Sequence, residues 1–251
     1  MSIHKTEAFI IKTVPFRSSS LIVTCFTKQF GKVRGIAKGV HREREIRQAG
    51  YELFNRVEIV FYEKKRSDLH LITEAEILDS HDAMRNRLEG IAYASYFCEL
   101  ADELTEIHDP HPKLFDLLKA GFHFLPVISP GILTPLFEIQ LVREMGWIPF
   151  LDSCLGCGMK PLEKGFFSIR HGAIFCEKCR SKDPAAQLLG PPVLLTLRAY
   201  SQEDFETCLR MNQSRHGINQ IGILTSQFLN YRLGKVLKSR KFLESIKPAL
   251  K

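Results

Sequence analysis

The sequence predicts a multidomain α+β protein: a small closed β-barrel at the N-terminal end, an all-α helical domain after it, and a four-cysteine metal module inserted between helices. Three observations lead there. Five segments rich in β-branched and aromatic residues fill the first eighty positions, a helical period takes over from about Asp82, and two C-x-x-C pairs stand eighteen residues apart between Cys154 and Cys179. At 251 residues and 45% apolar content, the chain has enough material for a buried core.

The β segments are EAFIIKTVPF, SLIVTCFTKQ, GKVRGIAKG, YELFNRVEIVFYEK and DLHLITEAEIL, divided by Gly, Ser or charged turns. Five strands in so short a stretch suit the OB-fold, whose exposed face and loops bind single-stranded nucleic acid. An SH3-like barrel competes with it, and strand count does not separate the two. The aromatic residues Phe9, Phe26, Phe54, Phe61 and Tyr62 have the chemistry to stack on bases, yet on strands most are expected in the core.

Helical spacing then dominates. LEGIAYASYFCELADEL places Leu88, Ile91, Ala92, Ser95, Tyr96, Glu99 and Leu100 at helical spacing, and KLFDLLKAGFHFL, ILTPLFEIQLVREMG, PPVLLTLRAYSQ and GINQIGILTSQFLNYRLGKVLKSRKFL continue the pattern. Asp109-Pro110-His111-Pro112 and Ser129-Pro130-Gly131 mark connectors. The expected domains are residues 1–80 (barrel, DNA-binding), 81–150 (helical, first part), 151–182 (metal module) and 183–251 (helical, second part, ending in a basic helix).

The net charge of +7 is unevenly spread. Residues 1–50 carry +7, residues 51–80 carry −3, residues 81–150 carry −5 and residues 151–251 carry +8. Two basic ends around an acidic middle favour a polyanion partner such as nucleic acid, with a solvated basic surface that has no partner as the alternative. No run approaches the roughly 18 apolar residues of a membrane span, and MSIHKTEAF lacks the apolar core of a signal peptide, so a cytoplasmic, thiol-reducing setting is expected.

In that setting seven cysteines are no disulfide framework. Cys25, Cys98 and Cys208 stand alone and are expected to be small buried hydrophobes. Cys154, Cys157, Cys176 and Cys179 have the spacing of a structural zinc site, one Zn2+ held by four thiolates. Gly158 suits a turn with positive φ, and Phe166 to Phe175 reads as a hairpin with His171 and Gly172 at its tip. Four thiolates close the shell, whereas a catalytic zinc keeps a position open. A nucleobase deaminase is the competing zinc enzyme, since His41-Arg42-Glu43 spells H-x-E, but Ser153 and Phe175 stand where that motif needs proline. The expectation is no enzyme.

In GKVRGIAKG, strand alternation sends Lys32, Arg34, Ile36 and Lys38 to one face and Val33, Gly35 and Ala37 to the other. That is a track for phosphates, with Gly35 and Gly39 expected to let the backbone approach closely and Arg42, Arg44 and Arg47 following. The order G-x-x-x-x-G-K-[ST] is absent, so no triphosphate cradle is expected. Residues 232–251 hold seven Lys/Arg and one Glu, and on a continuous helix Arg232, Lys235 and Lys238 share one side, suited to a phosphate backbone or an acidic peptide.

FTKQFGKVRGIAKG, LHLITEAEILDS, LFEIQLVREMGWIPFLDSCLGCG, FFSIRHGAIFCEKC and YRLGKVLKSRKFL resemble, in that order, segments of the bacterial RecO recombination mediators. The resemblance spans nearly the whole chain. It implies an N-terminal OB-fold, a helical domain and an inserted zinc module. It also implies a non-enzymatic DNA repair function: binding single- and double-stranded DNA, annealing complementary strands, and acting with RecR to help load RecA onto strands coated by single-strand binding protein. The DNA contacts it implies map onto Lys32, Arg34, Lys38, Arg42, Arg44 and Arg47. The contact with the C-terminal tail of single-strand binding protein maps onto Arg232, Lys235, Lys238 and Arg240. Glu43 and Glu45 interrupt the basic run that the family usually carries after A-K-G. An RNA-binding or transcription-associated OB protein is the alternative from the same fold class.

Overall fold

The computed structural model describes residues 2–17, 19–40, 49–160, 163–211 and 214–246. In chain order the strands and helices are β1 (Ile3–Phe16), β2 (Ser20–Thr27), β3 (Gly31–Ala37), β4 (Arg56–Tyr62), β5 (Leu69–Asp79), α1 (Asp82–Arg85), α2 (Leu88–Leu104), α3 (Pro112–Phe124), α4 (Pro130–Glu144), β6 (Gly165–Ser168), β7 (Ala173–Phe175), β8 (Gln187–Leu189), α5 (Pro191–Gln202), α6 (Phe205–Arg210), α7 (Arg215–Leu233) and α8 (Lys238–Ile246). A short 3-10 helix spans Glu177–Lys182. The chain forms two compact units, one of residues 1–126 with 237–251 and one of residues 127–236.

In the first unit the five strands close in the order β1-β2-β3-β5-β4. β3 and β5 pair in parallel, Arg34 opposite Leu69 and Ala37 opposite Ile72, while every other pair is antiparallel. A meander of three strands closed by one parallel pair is the OB topology, which settles what strand count leaves open. Closure also removes the sheet edges.

Alternation fills the interior. Ala8, Ile10, Val23, Cys25, Val33, Val57, Ile59, Phe61 and Ile72 point inward and are almost wholly buried. Gly35 belongs to this inner face: a Cβ there would meet the Ile72 side chain at 2.5 Å. The expectation that Gly35 lets a phosphate approach is therefore corrected, because its missing side chain makes room for the barrel core. YELFN, expected within the fourth strand, is a turn before β4, with Phe54 at φ 72°.

Two helices lie on the barrel's outside. Phe9 packs on Phe115 and Phe122 of α3 at ring distances of 4.9 and 5.2 Å, and Lys28 pairs with Asp116 at 3.0 Å. α8 is tied to α2 by Glu99, whose carboxylate accepts from the Lys238 and Ser239 backbone N–H groups and from the Ser239 hydroxyl. Those N–H groups have no intrahelical acceptor, so Glu99 supplies a cap from another helix.

The second unit is helical around a three-stranded sheet ordered β7-β6-β8. α4 packs on α5 and α7. Buried Gln140 of α4 donates to the Tyr200 and Glu203 carbonyls at 2.8 and 2.9 Å, satisfying the end of α5. The continuous basic helix expected through residues 232–238 is corrected. α7 stops at Leu233, Gly234 takes a left-handed conformation at φ 66°, and α8 begins only at Lys238. Glycine without a Cβ is the cheapest residue for that turn.

Candidate nucleic-acid interface and metal centre

The outer face of β1, β2 and β3 is built in rows by strand register. Phe9, Phe26 and Lys32 form one row, Lys12, Thr24, Arg34 and Leu69 another, and Val14, Ile22, Ile36, Leu71 and Tyr62 a third. The first row lies beneath helices. Phe9 and Phe26 are fully buried, and the Lys32 ammonium donates to the Asp102 carbonyl at 2.5 Å and to its carboxylate at 3.0 Å at the end of α2.

The other rows are open. Arg34 and Lys38 are exposed, Lys12 is exposed beside Thr24, and Ile22, Ile36, Leu71 and Tyr62 are half-buried between them. Cations on either side of an apolar strip give a surface able to hold phosphates at its margins and bases at its centre. The two loops flanking it carry further cations: Arg17 beside Phe16, its guanidinium 5.3 Å from the ring centroid, and Lys64, Lys65 and Arg66 between β4 and β5. On the opposite side of the barrel Glu7, Glu58 and Glu76 stand in register across β1, β4 and β5. Glu7 is paired with Arg56 at 3.4 Å and Glu58 with Lys5 at 2.5 Å, so the pull on a polyanion comes from the cations of the open side.

Of the residues singled out in the sequence for DNA, the structure brings Arg34 and Lys38 to the open face and places Lys32 under α2. Arg42, Arg44 and Arg47 lie outside the described residues, as does His41. Lys12, Arg17 and the 64–66 run were missed. For Arg17 and the 64–66 run the signal was available, because loops after the first and fourth strands are OB binding loops; Lys12 had none, since plain alternation from Ile10 points it inward and only the register shift between Ile10 and Lys12 turns it to the outer face. Of the five aromatic residues, Phe9, Phe26, Phe54 and Phe61 are buried and Tyr62 reaches the open face.

The second unit holds the cysteines. The sulfurs of Cys154, Cys157, Cys176 and Cys179 all lie within 4.8 Å of one another, and those of Cys157 and Cys176 are 3.8 Å apart. A tetrahedron with metal–sulfur bonds of roughly 2.3 Å has edges of about 3.8 Å, so the donor set fits one ion. Among the described residues this is the one group of three or more such side chains able to hold a metal. Burial opposes ionisation of Cys154, but backbone N–H groups outweigh it and lower its pKa; those of Gly156 and Cys176 each lie 3.3 Å from the sulfur. Burial, and then the neighbouring thiols, push Cys179 up. Four thiols this close cannot all ionise without a cation between them.

Gly158 has φ 73°, as its place after the second thiolate suggests. Gly156, missed in the sequence, matters more: a Cβ would come 2.9 Å from the Cys179 sulfur. The hairpin forms as expected, Phe166 opposite Phe175, with Gly172 at φ 60°. Further bonds fasten it. Phe150 N–H donates to the Gly172 carbonyl at 2.7 Å, and Arg198 of α5 donates to the Leu151 carbonyl through Nε and Nη2 at 3.0 and 2.7 Å. The remaining cysteines are buried hydrophobes: burial pushes Cys25 up to about 12, and burial with Asp204 nearby pushes Cys208 up to about 11. Burial also raises Cys98.

The candidate partner residues fall in both units, Arg232 and Lys235 in one, Lys238 and Arg240 in the other. The Arg232 guanidinium sits 5.0 Å from the Phe228 ring and 5.9 Å from the Trp147 ring. Arg240 lies over Tyr96 at 5.6 Å and pairs with Glu244 at 3.5 Å.

Comparison with known proteins agrees with this architecture. The family model described as Recombination protein O N terminal matches residues 1–81, and that described as Recombination protein O C terminal matches residues 85–241. The chain belongs to the RecO family. The DNA repair protein RecO of Halalkalibacterium halodurans is 31% identical, covering 97% of this chain and 95% of the relative. That of Syntrophus aciditrophicus is 31% identical over 97% and 96%, and that of Acetivibrio thermocellus 25% identical over 98% of each. In this RecO-family chain the N-terminal match is the barrel and the C-terminal match takes in the cysteine cluster. Among the described residues no helix is long and apolar enough to cross a membrane.

Proposed function

We propose that this protein is a non-enzymatic mediator of recombinational DNA repair, which binds DNA on the open barrel face and partner proteins through its helical parts. The observation that carries the reading is the half-face where Lys12, Arg34 and Lys38 surround half-buried Ile22, Ile36, Leu71 and Tyr62. Cations contribute affinity through counterion release and the apolar strip accepts unpaired bases, so single strands are the preferred ligand and duplex DNA is held by its phosphates. Arg42, Arg44 and Arg47, outside the described residues, are proposed as DNA contacts on their charge alone. Lys32 contributes by fixing β3 to α2 rather than by touching phosphate.

Membership of the RecO family supports the finer steps: annealing of complementary strands, action with RecR, and loading of RecA onto strands coated by single-strand binding protein. The acidic tail of that protein is assigned to Arg232 and Lys235 or to Lys238 and Arg240, and charge reversal of each pair separately tells which. The cysteine cluster holds one structural Zn2+. When bound, the ion neutralises the thiolates and locks the hairpin; the chain's own residues hold it and bring no open position for a reacting water.

The test is strand annealing without ATP, with and without single-strand binding protein. Annealing that survives the coating protein supports the reading; an ATP requirement, or no annealing of bare strands, contradicts it.

A further inference from the structure

His70 and His108 face each other with Nε2 to Nε2 at 3.1 Å. His70 comes from β5 and is 98% buried beside Phe61, and His108 follows α2 on a backbone at φ 62°, held by its N–H to the Lys32 carbonyl. The other His70 nitrogen, Nδ1, accepts the backbone N–H of Lys64 at 3.2 Å. Lys64 is the second residue of the 63–68 loop, whose Lys64, Lys65 and Arg66 border the open face next to Tyr62.

Those two bonds determine the protons. A ring nitrogen that accepts an N–H carries no hydrogen, so neutral His70 is protonated on Nε2 and donates to His108 Nε2. The 3.1 Å separation also matches two ligands on one metal ion, but a protonated Nε2 has no lone pair to give, which removes that reading. A further proton on the pair preserves the imidazole–imidazole bond only if it goes to His70 Nδ1. There it meets the Lys64 N–H, donor against donor, and the loop loses its anchor.

We propose that His70 is a positioning residue: its neutral ring holds the basic 63–68 loop beside the open face, and uptake of a proton releases it. The link to nucleic acid rests on the function proposed above; the anchor itself does not. Several groups surround the ring. Burial first, then His108 and Lys64, oppose its protonation, while Glu63 and Asp68 favour it, and the balance lies below the ordinary histidine value. His4 sits on the far side of Phe61, paired with Glu63 at 3.1 Å, and holds the preceding residue of the loop. An unfolded chain takes up this proton at about pH 6.5, so stability declines as pH falls below that value, and the loop opens lower still.

The experiment is amide hydrogen exchange on the intact protein at pH 7.5 and 5.5, corrected for intrinsic rates, read at Lys64 and the loop. In the native sequence, protection of the Lys64 amide should fall about tenfold at the lower pH. His70→Asn keeps an acceptor oxygen where Nδ1 stands and takes no proton, so its protection should not change with pH. Should that variant fail to fold, His108→Ala removes one charge opposing protonation and should move the transition to higher pH. Protection that is independent of pH in the native protein, or that falls equally in His70→Asn, overturns the anchor. Single-strand affinity measured alongside separates the two readings. Release of the 64–66 cations should make the salt slope smaller at pH 5.5 than at pH 7.5 in the native protein and not in His70→Asn. Exchange that switches with an unchanged slope overturns the loop's assignment to nucleic acid and leaves the anchor standing.

Discussion

The two halves of the barrel's outer face are made from the same strands with the same alternation, yet they have opposite fates. Under α2 and α3, Phe9, Phe26 and Lys32 are buried and paired; one register row further along, Lys12 and Arg34 are open to solvent. Lys32 and Arg34 differ by one strand repeat and cannot be told apart by sequence alternation. The difference lies in what covers them: Asp102 is seventy residues away and arrives with a helix. A cation on a strand is therefore a candidate contact only until the next domain is placed.

Four perturbations sharpen that comparison. The largest effect belongs to the metal centre, which shares the buried half's role as scaffold: Cys154→Ser should lower the melting temperature by about 10 °C or more and reduce solubility, with DNA affinity per folded molecule unchanged. Calorimetry with active-fraction titration checks it. A well-folded variant that no longer binds DNA would move the module into the interface.

Next is Phe9→Ala against Ile36→Ala. Phe9 fills the space between barrel and α3, so its truncation should cost about 3–5 kcal/mol in denaturant unfolding, whereas half-buried Ile36 should cost about 1 kcal/mol. Equal costs would mean that the helices do not seal the covered half.

Lys32→Ala follows. Its side chain is 11% exposed and that of Asp102 29%, so part of the pairing is screened by solvent, and the loss should be about 2 kcal/mol. Single-strand affinity of the folded variant should stay within about twofold. The smallest stability change is expected for Arg34→Ala with Lys38→Ala, within about 0.5 kcal/mol, because both are exposed. Here the effect appears in binding.

Much of the local structure was legible. The bounds of α2, α3, α4 and α5 agree closely with the helical segments read from the sequence, but the faces do not all follow: Leu88 and Ile91 of the expected α2 set are exposed, and α4 is buried on every side from Leu133 to Val142. The cysteine cluster was legible because metal ligation fixes spacing. What escaped depends on distant partners. The β3–β5 parallel pair that closes the barrel joins segments over thirty residues apart. β8 is three residues long and pairs with β6 across the metal module. Gly234 sits in a stretch that otherwise keeps a helical pattern, and only its positive φ shows the break. Thr27 and Gly31, within FTKQFGKVRGIAKG, prove to be a turn: the Thr27 hydroxyl donates to the Gly31 carbonyl at 2.8 Å and accepts from the Phe30 N–H at 2.9 Å. A side chain at Gly31 would also collide with the Asp109 backbone. The motif next to the candidate DNA residues thus serves the backbone, while Lys12, which no motif marks, shares their face.

The most direct measurement is the salt dependence of single-stranded DNA binding for Lys32→Ala beside the combined Lys12→Ala, Arg34→Ala, Lys38→Ala variant. Each phosphate contact on a single strand contributes about 0.7 to the slope of log affinity against log salt. The triple variant should lose about 2 from that slope and Lys32→Ala essentially nothing. A full slope in the triple variant, or a loss in Lys32→Ala as large as that of an exposed cation, would contradict the division of the face into a covered half that holds the fold and an open half that holds DNA.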